Sequence, residues 1–559
     1  MRAHGPLRGA RRNEQKVHRF RPRSQGWGTA MTTPPDTELV DVLVVGAGPA
    51  GTALAIDLTR RGLAIRIIDK AAHAFDGSRA KGIQPRSLEV LEDLGVLDDI
   101  LAGGATYPPL GIHAGPVTIP WHMQSRNEVT SDVPHPNTWL IPQFRTDAAL
   151  RAGLRRLGGT VETDCELLGF EQRPDAVVAT VAGPGGVHEI AARYLVGADG
   201  GASAVRKSSG IAFEGSTDES DRMIIVDAVV EGLSRDRWHV WPRPGGRFVG
   251  ACPLPHSEQF QWMIRLAPDE QPSLDDDDLN TRIRAHTGST RIRLSQISWK
   301  TVFRPNIRLA QQYRSGRILL VGDAAHVHTP AGAQGLNTGL QDAYNLGWKL
   351  AQVLAGAPDS LLDSYEAERQ PIAAGVLGLS TKKYEGLSKL DPSSIKRGND
   401  ERQLGLHYRG GPLTTAEAER TATLQVGDRA PDARLLNATG GAQRLFDLFS
   451  GPHFTALAYG PAAAADLAAL PWPAAGAELR RVAIDSGKQA AVDVALVDIT
   501  DSFARIYGVS DSTLLLIRPD GYIGAIATTD RTSRTLKALS AMTPELAATS
   551  ALHTPETQA

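Results

Sequence analysis

Asp323 is the side chain whose setting most strongly indicates chemistry. It follows Gly322 at the end of an apolar run, residues 318–321, of the kind that forms a strand buried on both faces. Open α/β sheets place their ligands at such carboxyl ends. Residues 330–337, PAGAQGLN, then lead into a helix whose free N–H groups and dipole favour negative charge. The pattern predicts a polar cofactor here, with a simple turn role for Asp323 as the alternative.

A glycine-rich turn near the start of the chain predicts a dinucleotide site. Residues 40–45, VDVLVV, form a predicted strand that runs into the GxGxxG glycines Gly46, Gly48 and Gly51, and a helix is predicted over residues 50–61. Gly46 permits the tight turn, Gly48 lets the backbone approach a pyrophosphate, and Gly51 allows close packing of helix on strand. The order strand, turn, helix makes this pattern much more specific than the glycines alone.

An acidic residue at the right distance supports the same interpretation. Asp69 ends the next predicted strand, residues 64–68, and lies 23 positions after Gly46. At a spacing of about 20 residues an acidic side chain accepts hydrogen bonds from the adenosine ribose. Because a carboxylate would repel a 2′-phosphate, the resident dinucleotide is predicted to be FAD or NAD and not NADP. Lys70 follows directly and is assigned to the same cofactor-binding turn.

A third turn of this type contains Asp199 and Gly200. It follows the apolar residues 194–197 and precedes the sequence GASAVR, residues 201–206. An Asp-Gly pair is common in ordinary turns, so by itself it predicts little. The pair becomes informative as the second of three such patterns in one chain, each of which follows a predicted buried strand. A plain NAD dehydrogenase would need only the first.

Taken together, the three segments resemble the fingerprints of the class A flavoprotein monooxygenases, in particular the aromatic-polyketide hydroxylases and rifampicin monooxygenases. The resemblance implies that Asp323 binds the ribityl chain of FAD, and that the Asp199-Gly200 turn serves both FAD and the nicotinamide cofactor. It places Arg79 and Gln143 beside FAD, although Arg79 could be a solvated loop cation and Gln143 a helix cap. The residues implied to border the flavin ring are Pro330, Gly335, Leu336 and Asn337.

The same resemblance implies the reaction. FAD would be reduced by NADPH or NADH, and a flavin hydroperoxide formed with O2 would hydroxylate a phenolic or polycyclic aromatic substrate. The sequence offers no side chain that we assign as a catalytic base. Baeyer–Villiger or ring-opening oxygenation by the same site is the nearest alternative. A flavin- or drug-binding protein without turnover is the alternative from a different class.

Composition excludes several other classes of function. The 559 residues contain 60 Lys and Arg against 62 Asp and Glu, so no overall charge favours nucleic acid or an acidic membrane. No apolar run reaches the roughly 18 residues of a membrane helix. Cys165 and Cys252 are too few for a disulfide framework, which suits the cytoplasm. His326 and His328 lack companion ligands, so no metal site is predicted. A homodimer is possible.

The predicted fold is α/β, with a Rossmann-like FAD-binding domain, an inserted antiparallel-sheet substrate domain and a C-terminal thioredoxin-like domain. Alternating apolar runs predict the antiparallel sheet. The resemblance implies that this domain forms the floor of the substrate pocket, while most of its aromatic side chains are expected to belong to the core. The basic N-terminal residues lack an apolar core, so we interpret Met31 as the true start, with a disordered tail or transit peptide as the alternative. The predicted segments are residues 1–35 for the tail, 36–206 and 303–395 for the FAD-binding domain, 207–302 for the substrate domain and 425–545 for the C-terminal domain.

Overall fold

The computed structural model describes residues 39–123, 125–329, 332–388, 398–487, 491–510 and 512–546. Pro330 and the N-terminal tail therefore lie outside the described residues. In chain order, the α-helices are α1 Pro49–Arg60, α2 Pro85–Asp93, α3 Leu97–Gly103, α4 Gln143–Arg156, α5 Ala204–Ser208, α6 Asp276–Thr287, α7 Gly335–Leu354, α8 Asp363–Ser388, α9 Asn399–Arg402, α10 Leu445–Phe449, α11 Pro461–Ala468, α12 Ser502–Tyr507 and α13 Arg531–Leu539.

In chain order, the strands are β1 Val40–Val45, β2 Ile65–Ile68, β3 Gly82–Ile83, β4 Ala105–Thr106, β5 Leu110–Ala114, β6 Val117–Trp121, β7 Trp139–Leu140, β8 Val161–Glu162, β9 Glu166–Gln172, β10 Val177–Gly183, β11 Gly186–Gly197, β12 Phe213–Thr217, β13 Met223–Glu231, β14 Trp238–Pro242, β15 Phe248–Pro253, β16 Gln259–Arg265, β17 Arg293–Phe303, β18 Asn306–Ala310, β19 Arg314–Ser315, β20 Ile318–Leu320, β21 His326–Val327, β22 Arg434–Asn437, β23 Ala442–Arg444, β24 Phe454–Tyr459, β25 Leu479–Ile484, β26 Val494–Val497, β27 Thr513–Ile517 and β28 Ile523–Ala527.

The first sheet carries all three glycine- or aspartate-containing turns. Its order is β19-β20-β11-β1-β2-β8, and the strands from β20 to β8 run parallel. Strand β1 is central and almost wholly buried, which explains why residues 42–45, VLVV, are continuously apolar. Because parallel strands share one carboxyl edge, the turns after β1, β2, β11 and β20 meet there. The mixed α/β class predicted from the sequence is confirmed.

The second sheet is mainly antiparallel and has the order β17-β13-β16-β15-β14-β5-β6. Five of its seven strands, β13 to β17, come from the predicted substrate domain, residues 207–302, with β17 ending one residue beyond it. Strands β5 and β6 come from much earlier in the chain, and β5 joins by parallel pairing to β14. A pairing across more than 100 residues leaves no local signal in the sequence. Both strands were therefore included in the predicted FAD-binding domain, residues 36–206.

The third sheet belongs to the C-terminal segment and has the order β23-β22-β26-β25-β24-β27-β28. Strands β24, β25 and β26 are parallel, and β27 and β28 form an antiparallel hairpin followed by α13. This arrangement agrees with the predicted thioredoxin-like class. One face of the sheet packs against α7, where the Trp348 and Phe454 rings meet edge to face at 5.8 Å. None of the described helices is long and apolar enough to cross a lipid bilayer.

A buried ion network fixes the C-terminal segment to α7 and α8. Glu368 of α8 accepts hydrogen bonds from Lys349 of α7 at 2.7 Å and from both terminal nitrogens of Arg518 at 2.6 and 2.9 Å. Arg518 also pairs with Asp520, and all four side chains are at most 1% exposed. Burial alone would raise the pKa of Glu368, but Arg518 and Lys349 outweigh it and lower that pKa to about 2. Glu368 is therefore ionised.

Removing this charge should weaken the molecule strongly. We expect Glu368→Gln to lower the free energy of unfolding by about 3–5 kcal/mol, because the two buried cations Lys349 and Arg518 would then face only one buried carboxylate, that of Asp520. Chemical denaturation of the full chain, monitored by tryptophan fluorescence, measures the loss. Glu166→Gln, at an exposed position on β9, is the matched control and should change it by less than about 0.5 kcal/mol. Equal stability of the two variants would contradict the prediction.

Candidate functional site

The three glycines of the first turn have different surroundings. Gly46 has φ +103°, and a Cβ there would lie 2.4 Å from the Ala198 carbonyl oxygen. A Cβ on Gly51 would lie 2.0 Å from the Gly46 oxygen, so α1 packs directly on the turn. A Cβ on Gly48 meets nothing within 4 Å among the described residues. Gly46 and Gly51 are thus needed by the fold, whereas Gly48 borders open space at the N-terminus of α1.

Asp69 stabilises the same turn from the neighbouring strand. Its carboxylate accepts hydrogen bonds from the backbone N–H groups of Ala47 at 2.7 Å and Ala71 at 2.9 Å. Each carboxylate oxygen has a second lone pair, so the side chain can still accept a ribose hydroxyl. Lys70 is exposed beside it.

Arg79 and Gln143 lie on two elements that face each other. Arg79 is exposed, with its guanidinium 5.8 Å from the centroid of the Phe75 ring. Gln143 is the first residue of α4 and not its cap, and its side-chain oxygen accepts from the Ala80 N–H at 3.5 Å. The structure therefore brings both residues to the loop that leaves β2. Their predicted contacts with FAD stay predictions.

The Asp199-Gly200 turn uses its acidic side chain inside the protein. Asp199 accepts from the Ser203 hydroxyl at 2.5 Å and from the Ala204 N–H at 2.6 Å, and so caps the short helix α5. Arg206 of that helix donates to the carbonyl oxygens of Gly201 at 2.9 Å and Ala324 at 2.8 Å. Arg206 thereby ties this turn to the Gly322-Asp323 turn. Any cofactor contact here falls to the backbone around Gly200.

The Gly322 turn requires close approach of three elements. Gly322 has φ +60°, and a Cβ there would lie 3.0 Å from the Ala50 Cβ of α1. A Cβ on Gly339 of α7 would lie 3.1 Å from the Gly322 Cα. Small residues at these positions let α1 and α7 both pack against the turn that presents Asp323.

Asp342 of α7 holds this turn from beneath. It accepts hydrogen bonds from the Gly322 N–H at 3.2 Å, His326 Nε2 at 2.5 Å and Arg369 Nε at 2.8 Å. Burial alone would raise its pKa, but His326 and Arg369 lower the pKa of Asp342 to about 2, so it is a carboxylate. Neither Asp342 nor Arg369 was predicted as a site residue, because both act through buried contacts behind the turn.

The two histidines near the turn form a hydrogen-bonded pair. His326 Nδ1 and His328 Nε2 are 2.8 Å apart, and His328 packs beneath the first residue of α7. Burial and the neighbouring His326 lower the pKa of His328 well below its ordinary value, so His328 is neutral. Within the described residues no group of three or more His, Cys, Asp or Glu side chains could hold a metal ion.

Asp323 and the start of α7 form the surface of the site. Asp323 is half-buried, and no described residue hydrogen-bonds or pairs with its carboxylate. The N-cap of α7, Gln334, makes no side-chain capping bond, so the N–H groups of Gly335 and Leu336 are not satisfied by a cap. The Asn337 side chain donates hydrogen bonds to the Gly82 and Ala333 carbonyls and accepts one from the Gln84 N–H. It therefore shapes the loop and offers a cofactor its backbone only.

These features fit FAD. Gly48 and the N-terminus of α1 leave room and positive field for a pyrophosphate. The free carboxylate of Asp323 can accept ribityl hydroxyls, and the uncapped start of α7 can donate to the electron-rich edge of a flavin. Bound FAD would supply hydride acceptance and oxygen activation, while the protein supplies placement and electrostatics.

Strand register divides the aromatic side chains of the second sheet between its two faces. Trp241 and Trp262 are buried with α6 in a closed core. Trp238 lies on the opposite face, since successive residues of a strand alternate. Trp299 shares that face, because it pairs with Asp227, whose carboxylate accepts from the Ser78 N–H and hydroxyl at the loop after β2. This second face is the one turned toward the cofactor-binding loops.

Comparison with known proteins agrees with this architecture. Residues 39–380 match the family described as FAD binding domain, and residues 427–542 match the HcaD C-terminal domain. A flavin-dependent monooxygenase of Mycobacteroides abscessus is 41% identical over 498 residues, covering 88% of this chain and 98% of the relative. The structure of anhydrotetracycline hydroxylase from Streptomyces rimosus superimposes with a TM-score of 0.71 at 30% identity, over 91% of this chain and 100% of the other. Aklavinone-11 hydroxylase, solved with FAD and aklavinone, gives 0.74 at 25% identity, over 90% and 98%.

The chain belongs to the FAD-binding-domain family of flavoprotein monooxygenases. The class A resemblance seen in the sequence is therefore confirmed. The protein is an FAD-dependent monooxygenase that uses NAD(P)H and O2. The individual site residues remain predictions supported by the geometry described above.

Gly48 and Gly46 provide a matched test of the first turn. We expect Gly48→Ala to leave the melting temperature of the apo-protein within about 2 °C, because its Cβ meets no described atom. FAD affinity should fall roughly tenfold or more, the equivalent of about 1.4 kcal/mol, since the methyl group separates the backbone from the pyrophosphate. Gly46→Ala should instead destabilise the apo-protein itself. Flavin fluorescence titration and thermal melting separate the two, and unchanged affinity in Gly48→Ala would contradict the assignment.

Asp323→Ala tests the ribityl contact. The variant should purify largely without flavin, because hydrogen bonds to a charged group contribute about 1.5–3 kcal/mol each. The ratio of flavin absorbance to protein absorbance after purification gives the occupancy. Asp98→Ala, at an exposed position in α3, serves as the control and should keep its flavin. Full, tightly bound FAD in Asp323→Ala would show that Asp323 is only a turn residue.

Proposed function

We propose that this monooxygenase hydroxylates a phenolic or polycyclic aromatic compound of the aromatic-polyketide type. The observation that carries the proposal is the second face of the middle sheet. A continuous row of directly paired residues crosses five strands there: Val240, Gly250, Met263, Ile225 and Thr301. The row is mostly apolar and lacks a side chain at Gly250, so it presents a flat surface suited to a planar ring system.

The indole of Trp238 lies beside this floor. A Cβ on Gly250 would lie 3.5 Å from the indole Nε1 and 3.6 Å from Met263 Cε, so the ring packs against the row where Gly250 lacks a side chain. Because Nε1 is buried, the indole adds aromatic surface to the floor and no hydrogen bond.

The relatives support the same substrate class. A protein of Streptomyces rimosus described as 12-dehydrotetracycline 5-monooxygenase and anhydrotetracycline 6-monooxygenase is 32% identical, over 86% of this chain and 94% of its own length. In our proposal the floor holds the ring, the closed core behind it excludes water, and the start of α7 stabilises negative charge on the reduced cofactor. We also propose that the protein acts in the cytoplasm, which cell fractionation tests, and that it forms a homodimer, which light scattering tests.

Substrate-dependent consumption of NADPH or NADH tests the function. We expect one member of a panel of phenolic and polycyclic aromatics to accelerate cofactor oxidation in air, and to yield a product carrying one oxygen from labelled O2. The flavin-free Asp323→Ala protein is the negative control. A product with an expanded or opened ring would favour Baeyer–Villiger chemistry. Tight binding of the aromatic without oxygen incorporation would contradict the hydroxylase proposal and support sequestration.

A further inference from the structure

Gln403 lies in the segment that joins α8 to the C-terminal sheet, about 70 positions after the loop that begins α7. It follows α9 directly and has φ +60°, a left-handed conformation that residues other than glycine rarely adopt. The residue is only 2% exposed. Because glycine would fit this backbone without strain, the contacts of the buried side-chain amide must account for the glutamine.

The Gln403 amide connects two other buried glutamines. Its Nε2 donates to Oε1 of Gln334, the N-cap of α7, at 2.5 Å. Its Oε1 accepts from Nε2 of Gln341, on the second turn of α7, at 2.6 Å. The three amides form one hydrogen-bonded chain away from water. Since a buried amide is costly without its partners, the chain fixes the position of each member.

These contacts turn the Gln334 side chain away from its own helix. Its Nε2 donates to the carbonyl oxygens of Gly332 at 3.0 Å and Glu401 at 3.3 Å, while its Oε1 accepts from Gln403. An N-cap side chain normally accepts from N–H groups of the first helical turn. Gln334 makes no such bond within the described residues. The segment around α9 therefore holds the side chain that would otherwise cap α7.

We propose that Gln403 is a positioning residue for flavin reduction: it keeps the Gln334 amide away from the start of α7 and so leaves the N–H groups there to the flavin. The proposal rests on the flavin ring lying at the start of α7. Those N–H groups and the helix dipole stabilise negative charge on the reduced ring. Without the Gln403 amide, Gln334 Oε1 loses its donor and competes with the flavin for the same N–H groups.

The reduction potential of bound FAD tests this role. Gln403→Gly keeps the left-handed backbone and removes the amide. We expect it to shift the equilibrium between oxidised and reduced bound FAD about tenfold toward the oxidised form, which lowers the potential by about 30 mV for a two-electron couple. The holoenzyme is titrated with dithionite in the presence of a reference dye, and visible spectra report the redox state of both.

Two variants serve as controls. Gln296→Gly makes the same substitution at an exposed position of β17 with φ +45°, and should leave the potential unchanged. Ala333→Asp is the positive control. Ala333 precedes the N-cap of α7 and has φ +55°, which aspartate tolerates better than most residues. Its negative charge should lower the potential if the flavin ring lies at the start of α7.

The outcomes separate the Gln403 role from the assumptions beneath it. A lower melting temperature of Gln403→Gly with an unchanged potential would overturn the proposal, because a purely structural contact gives that result. A shift in Ala333→Asp alone would overturn the Gln403 role and leave the ring placement intact. No shift in either variant would overturn the ring placement and the proposal together.

A second variant covers a failure of Gln403→Gly to fold. Gln403→Asn keeps an amide and readily adopts the left-handed backbone, but its side chain is one carbon too short to connect both glutamines. It should lower the potential in the same direction, and an unchanged potential would overturn the proposal. The measurement needs no aromatic substrate, so failure of the proposed hydroxylation would be seen separately. Absence of FAD from the wild-type protein would overturn the cofactor assignment and this proposal with it.

Discussion

The buried carboxylate of Asp342 is the constraint on which the site depends. Its three donors come from the Gly322 turn, from β21 and from α8, so one side chain fixes the relative positions of four elements. A fully buried arginine is tolerated at Arg369 only because Asp342 neutralises it and the Thr338 carbonyl and Tyr408 hydroxyl satisfy its remaining nitrogens. The position of Asp323 and the direction of α7 follow from this arrangement.

Buried ion pairs also fix the C-terminal segment to the rest of the molecule. Glu368 lies one residue before Arg369 on α8, so the network that fixes the turn and the network that fixes the third sheet share one helix. Arg429 adds a second connection through Glu89 of α2, again between buried side chains. Both cysteines of the chain, Cys165 and Cys252, lie outside this segment, so it has no thiol for disulfide exchange.

Local patterns in the sequence predicted most of the elements that form the site. The strand over residues 40–45 is found with those bounds, and the helix predicted over 50–61 is observed at Pro49–Arg60. Alternation predicted an antiparallel sheet within residues 207–302, and strands β13 to β16 lie there. These signals are local, since they arise from burial and turn geometry along a short stretch of chain.

Interactions between distant residues could not be predicted in this way. The parallel pairing of β5 with β14 decides the extent of the middle sheet, and pairing between strands decides that Trp299 lies opposite Asp227. Asn337 stays predicted to border the flavin, and only the folded structure shows that its side chain hydrogen-bonds to the neighbouring loop.

The separation of the two faces of the middle sheet also bears on evolution. One face, with Trp241 and Trp262, is sealed under α6 and must keep its packing. The other, which carries Gly250 and Met263, supports no core of its own. Substitutions at the half-buried positions of that row, Val240, Met263 and Thr301, therefore change the shape of the proposed floor at less cost to folding than substitutions in the sealed core. A lineage can diversify the molecules it accepts through a few neutral steps, without rebuilding the scaffold that binds the cofactor.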